Sequence, residues 1–143
     1  MSADAPKPNA QRRVERTGAS FPRSARLLKH SDFERVYKQG RRHFSSHITA
    51  FYLRQPDDAS PDASVERTAR VGFTVGRVLG GAVDRNRIKR RLREAVRMRR
   101  SLLGSCPVDI VINPKKSVLK VEFTVVLEEV GRALETIEKK IER

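Results

Sequence analysis

The sequence predicts one α+β domain in the order helix, three strands, helix, strand, helix. Three observations carry that expectation. Apolar residues recur every three or four positions in separate segments, short apolar runs bounded by Gly, Pro and Asn lie between them, and 143 residues suffice for one hydrophobic core but not comfortably for two. Helices and strands in this mixed order bury their apolar faces best as helices packed on a central sheet. There is no internal repeat.

Residues 1–20 are Ala, Pro, Arg and polar groups without apolar rhythm, so they are expected to form a mobile basic tail ahead of a domain over 21–143. Order is expected from Phe21. Ser31 suits an N-cap, and Phe33, Val36 and Tyr37 fall at helical spacing before Gly40, which would close a short helix. Over 41–54 the chain reads as two extended stretches, with Ile48, Ala50 and Tyr52 on one face and Thr49, Phe51 and Leu53 on the other. Pro and Asp clusters make 55–68 a surface connection, and a third strand follows from Ala69 to Gly76.

Gly76, Gly80 and Gly81 loosen the backbone before a second helix, expected from Asp84 as N-cap to Leu103. Pro107 opens an apolar strand, VDIVIN, that Asn113-Pro114 closes. The spacing of Phe123, Val126, Leu127, Val130, Leu134, Ile137 and Ile141 predicts an amphipathic closing helix.

The charge points to a polyanionic partner. Thirty-one Lys and Arg against 17 Asp and Glu leave +14, which suits nucleic acid and has no evident use in an enzyme for neutral substrates. A membrane is disfavoured as partner, because there is no 18-residue apolar run and the basic helix is Arg-dense rather than faced with Trp or Phe. The N-terminal residues lack the apolar stretch of a secretory signal, and the lone Cys106 reads as a small buried hydrophobe. A reducing cytoplasm is therefore the expected location.

The cations concentrate in one segment. Between Arg85 and Arg100 nine basic residues face one acid, Glu94, a local charge of +8. On a helix, Ile88, Leu92, Ala95 and Val96 share one side, and Asn86, Arg90, Arg93, Arg97 and Arg100 lie opposite. Arg suits this task because its planar fork pairs bidentately with phosphate and stacks on bases. An ordinary solvated helix face would mix signs for i,i+4 pairing, which this one scarcely does.

The run RVGFTVGRVLGGAVDRNRIKRRLREAVR resembles the signature of the bacterial ribonuclease P protein family, with Arg85-Asn86-Arg87 at its centre. The similarity extends upstream through RLLKHSDFERVYKQGRRHFSSHITAFYLR and downstream through DIVINPKK. It implies an α-β-β-β-α-β-α domain like the second domain of ribosomal protein S5, with a left-handed βαβ crossover that general handedness rules do not give. It further implies that the protein is the non-catalytic subunit of an endoribonuclease, one copy per catalytic RNA, assisting removal of the 5′ leader from precursor tRNA. The catalytic RNA would be bound by Arg85, Asn86, Arg87, Lys89, Arg90 and Arg93, with Arg97 beside them. The leader would lie in a cleft at Phe33, Tyr37, Phe51, Arg70 and Arg77, where aromatic rings stack on unpaired bases and cations follow the backbone.

Phe33, at helical spacing with Val36, also suits ordinary core. One departure stands out: the family usually carries two Lys after the third strand, and this chain has Arg77-Val78. Arg41, Arg42 or the basic tail would then supply the missing charge.

No catalytic residue of the protein itself is expected. The acids Asp57, Asp58 and Asp62 sit in the expected loop, and no Ser-His-Asp arrangement stands out. His43 and His47 in HFSSH fall on strand or turn without a third ligand and are expected to face solvent or RNA. The glycine cluster lacks the Gly-Lys-Ser/Thr ending of a phosphate-binding loop. No cofactor is expected on the protein; the resemblance assigns Mg²⁺ to the RNA. Two other readings share the charge pattern, a ribosome-assembly protein and a DNA-binding module using the 84–100 helix in a major groove. Neither explains the whole ordered pattern.

Overall fold

The computed structural model describes residues 25–27, 29–56, 68–104 and 106–142. The expectations for the 1–20 tail, for order from Phe21 and for most of the 55–68 connection lie outside the described residues. The elements are α1 (His30–Gln39), β1 (Arg41–Phe44), β2 (Ile48–Arg54), β3 (Arg70–Phe73), α2 (Ala82–Arg99), β4 (Val108–Pro114) and α3 (Phe123–Glu142). Short 3₁₀ turns at Arg77–Leu79, Arg100–Leu103 and Lys116–Leu119 flank the second half.

The strand order is β1-β2-β4-β3. β1 pairs antiparallel with β2, β2 antiparallel with β4, and β3 parallel with β4. A parallel pair needs a crossover, and α2 is that crossover. β4 thus occupies an interior position with a run of apolar residues, and all but Asn113 in it are buried.

The two faces of the sheet are unequal. Ile48, Ala50 and Tyr52 join Val71, Ile110 and Ile112 in the main core, under Ile88, Leu92, Ala95 and Val96 of α2 and Val126, Val130, Leu134 and Ile137 of α3. The buried residues of α2 are the four that its periodicity named. On the opposite face Phe51 and Leu53 pack with Leu27, Val36 and Val111 in a smaller cluster under α1.

Both helix starts differ from expectation. The N-cap of α1 is Lys29, not Ser31, because the amides of Asp32 and Phe33 bond the Lys29 carbonyl; Asp32 then lies in the first turn, where its charge suits the helix dipole. The N-cap of α2 is Gly81, not Asp84, and Arg85 N–H bonds the Gly81 carbonyl. The glycines let the chain turn into the helix a few residues early, and Asp84 falls in the first turn. At the other end, α2 stops at Arg99 and continues to Leu103 only as a 3₁₀ turn.

Gly40 does end α1, for a steric reason and not through a left-handed conformation. Its φ is −81°. A Cβ there would stand 2.5 Å from the Val36 carbonyl oxygen and 2.6 Å from that of Tyr52, so only glycine lets the helix end meet β2.

Candidate nucleic-acid interface

Helix α2 separates its side chains sharply. Asn86, Arg87, Arg90 and Arg93 are exposed, while Ile88, Leu92, Ala95 and Val96 are buried without measurable exposure. Their burial anchors the helix, since burying an Ile, Leu or Val side chain is worth roughly 1.5–3 kcal/mol. The guanidiniums are thereby held outward on a fixed rod. Arg85 and Lys89 sit at the border, half-buried, with Arg85 Nε donating to the Gly80 carbonyl at 3.2 Å. Arg97 is paired with Glu94, and that hydrogen bond holds the Glu94 carboxyl below its usual range.

One arginine in the run has a different task. Arg91 is half-buried and donates to the carbonyls of Val118 and Val121, the latter at 2.9 Å, tying α2 to the chain that leads into α3.

The five positions expected to form the cleft divide into two groups. Phe33, Tyr37 and Phe51 come together where α1 crosses the sheet. Tyr37 and Phe51 meet edge to face with ring centroids 4.8 Å apart, and the Tyr37 hydroxyl reaches Thr74 Oγ1 at 2.7 Å and Asn113 Oδ1 at 2.9 Å. Arg42 on β1 places its guanidinium carbon 5.7 Å from the Phe51 ring centroid. Phe33 is partly buried in the smaller core cluster, and its ring tip occupies the space that a Cβ on Gly72 would need, at 2.6 Å. It packs into the core more than it lines a surface.

Arg70 and Arg77 differ. Arg77 is exposed in the turn beyond β3, followed by Val78, which is 89% exposed. Arg70 is gripped from below: Nε donates to Asp109 Oδ1 at 2.9 Å and Nη2 to Asp109 Oδ2 at 2.7 Å, which raises the arginine's pKa. Arg35 Nη2 also donates to Asp109 Oδ2, at 2.6 Å, Gln55 Nε2 donates to Oδ1 at 3.0 Å, and Asp32 lies 3.6 Å from Arg70 Nη1. Asp109 is completely buried. Two arginines and two aspartates therefore form a network of balanced charge joining α1, β3 and β4, and sequence reasoning did not find it. Its one signal was a lone acid in an apolar strand.

The histidines also depart from expectation. His47 is mostly buried, with Nδ1 2.6 Å from Ser117 Oγ and its backbone N–H donating to Glu129 Oε1 at 3.0 Å. These partners on the α3 side fix the β1–β2 turn. His43 is half-buried, and burial, followed by Lys140, pushes its pKa below the ordinary 6.5. Cys106 is buried, as expected. Among the described residues no group of three or more His, Cys, Asp or Glu is arranged to hold a metal ion, and no helix is long and apolar enough to cross a membrane.

Comparison with known proteins decides among the readings of this charge pattern. The family described as Ribonuclease P matches residues 21–138. The chain belongs to the ribonuclease P protein family. The ribonuclease P protein component of Desulforapulum autotrophicum is 35% identical over 118 residues, covering 82% of this chain and 92% of that one. That of Citrifermentans bemidjiense is 32% identical over 124 residues, covering 87% and 97%. The solved ribonuclease P protein of Thermotoga maritima superposes with a TM-score of 0.65 at 25% identity, covering 78% of this chain and 96% of its own. The Staphylococcus aureus protein, at 23% identity and a TM-score of 0.63, shares the fold. Membership makes this chain a ribonuclease P protein component, a tRNA-processing subunit with an RNA partner in the holoenzyme.

Proposed function

We propose that this ribonuclease P protein binds the catalytic RNA through α2 and the 5′ leader of precursor tRNA through the α1 face of the sheet, assisting cleavage that leaves a 5′-phosphate on the mature tRNA. The observation that carries the reading is the split of α2, with Arg87, Arg90 and Arg93 exposed above four fully buried apolar side chains. A rod of outward guanidiniums pairs with phosphates and releases their counterions, so assembly is steeply salt-dependent. Arg85, Asn86 and Lys89 extend the contact, and Arg97, paired with Glu94, lies at its margin. One protein serves one RNA.

The Tyr37–Phe51 pair under Arg42 supports the leader assignment. Partly exposed rings beside cations are what an unpaired strand needs. Phe33 supports the rings, Arg70 lends a fixed positive charge from its network, and Arg77 supplies an exposed one. The hydrolysis itself belongs to the RNA with its Mg²⁺. The protein's cations reduce repulsion between two polyanions and so lower the Mg²⁺ concentration required. The cytoplasm, where precursor tRNA is made, is the site of action.

The test is 5′-leader cleavage by a bacterial ribonuclease P RNA at low Mg²⁺, with and without the protein. Strong protein-dependent cleavage that vanishes without the RNA supports the reading; no stimulation of any bacterial catalytic RNA overturns it.

A further inference from the structure

The leader-binding face of the sheet reaches beyond the cleft. Arg42 pairs with Phe51 and Phe44 with Thr49 in the β1–β2 register, so both β1 residues belong to the face that bears Phe51. Helix α1 covers this face over β2 and β4, where its partners Phe51, Leu53 and Val111 lie, and β1 is the sheet edge beyond them. There Phe44 is 69% exposed, a large ring on an otherwise polar edge strand, two residues from a guanidinium that already lies over Phe51. Two residues along a strand span about 7 Å, enough to separate adjacent stacking positions. The neighbouring cations Arg42 and Lys115 are both exposed, and Lys115 Nζ lies 3.5 Å from the Ser45 carbonyl beside Phe44.

We propose that Phe44, with Arg42, forms a further single-stranded RNA subsite on the edge strand, taking a nucleotide of the leader farther from the cleavage point than the one at Tyr37 and Phe51. The inference rests on the leader reading above. The occupant follows from charge and ring together: an aromatic face stacks on any base, and a cation at its side pairs with the linking phosphate. An apolar protein partner has no use for the arginine. Phe44 makes no contribution to either core cluster, so its replacement leaves the fold intact.

The experiment uses the reconstituted holoenzyme and precursor tRNAs whose leaders lengthen one nucleotide at a time, with dissociation constants measured for wild type, Phe44→Ala and Phe44→Trp. Wild-type affinity is expected to rise with each added nucleotide up to the Phe44 position. Phe44→Ala should match wild type on the shortest leaders and lose about five-fold or more on longer ones, while Phe44→Trp retains the gain. If Phe44→Ala follows wild type at every length while wild type itself gains from the leader, the subsite is wrong and the cleft stands. If wild type gains nothing from any leader, both fall together.

Discussion

Arg70 and Asp109 form a two-pronged pair, Nε to Oδ1 at 2.9 Å and Nη2 to Oδ2 at 2.7 Å, on the same sheet face as Phe51. Asp109 is completely buried, and its carboxylate reaches both Arg70 and Arg35 more closely than Asp32 does. Replacing it leaves two guanidiniums without their main partner. Asp109→Ala should therefore lower stability by about 3 kcal/mol, at the low end for a buried pair because both arginines are partly exposed. Urea unfolding would show it as a lower midpoint; a loss below about 1 kcal/mol would mean that water replaces the carboxylate freely.

Glycines offer an internal comparison. Gly40→Ala forces a Cβ against two backbone carbonyl oxygens, which cannot swing aside as a side chain would. We expect a loss of about 2 kcal/mol or more. Gly76→Ala and Gly81→Ala meet nothing within 4 Å and should leave the thermal midpoint nearly unchanged. Equal effects at all three positions would contradict the steric account of the α1–β2 junction.

The arginines of α2 should separate into two classes. Arg87→Ala, Arg90→Ala and Arg93→Ala weaken holoenzyme assembly and each reduce the salt slope by about 1, with the melt unchanged. Arg91→Ala instead lowers the melting temperature, since it frees the carbonyls of Val118 and Val121. Filter binding over a salt series, run beside calorimetry, distinguishes them. A variant of Arg87 or Arg90 that melts early would make that side chain structural.

Acid should weaken the fold partly through His43. Its folded pKa is depressed below 6.5 by burial and by Lys140, with Glu129 opposing. The unfolded chain takes up this proton at higher pH than the folded one, so stability is full above 6.5 and is lost as pH falls through the folded value. Unfolding at stepped pH should show His43→Gln losing less stability between neutral and mildly acidic pH than wild type does. A wild-type curve that the substitution leaves unaltered would assign the loss to other groups.

What the sequence made legible was whatever depends on local period. The buried side of α2, the spacing of α3 and the division of β2 into two alternating faces all follow from which residues are three, four or two positions apart. Asp109 was not legible, because its partners lie 39 and 74 residues away and nothing local distinguishes an anchored acid from a misplaced one. The helix starts failed for a related reason. Ser31 and Asp84 have the chemistry of caps, but the entry of the chain is set by where the preceding segment leaves the sheet: Leu27 N–H bonds the Val71 carbonyl before α1 begins. His47 likewise looked like a free residue on a turn until α3 brought Glu129 to it.

β4 lies between the two layers, with Ile110 and Ile112 under α2 and α3 and Val111 under α1. A slab clamped on both surfaces transmits displacement without absorbing it. The spacing between the arginine rod and the aromatic rings is therefore a fixed dimension of the protein; under the function proposed above, the subunit would act as a gauge, holding two RNAs at one separation.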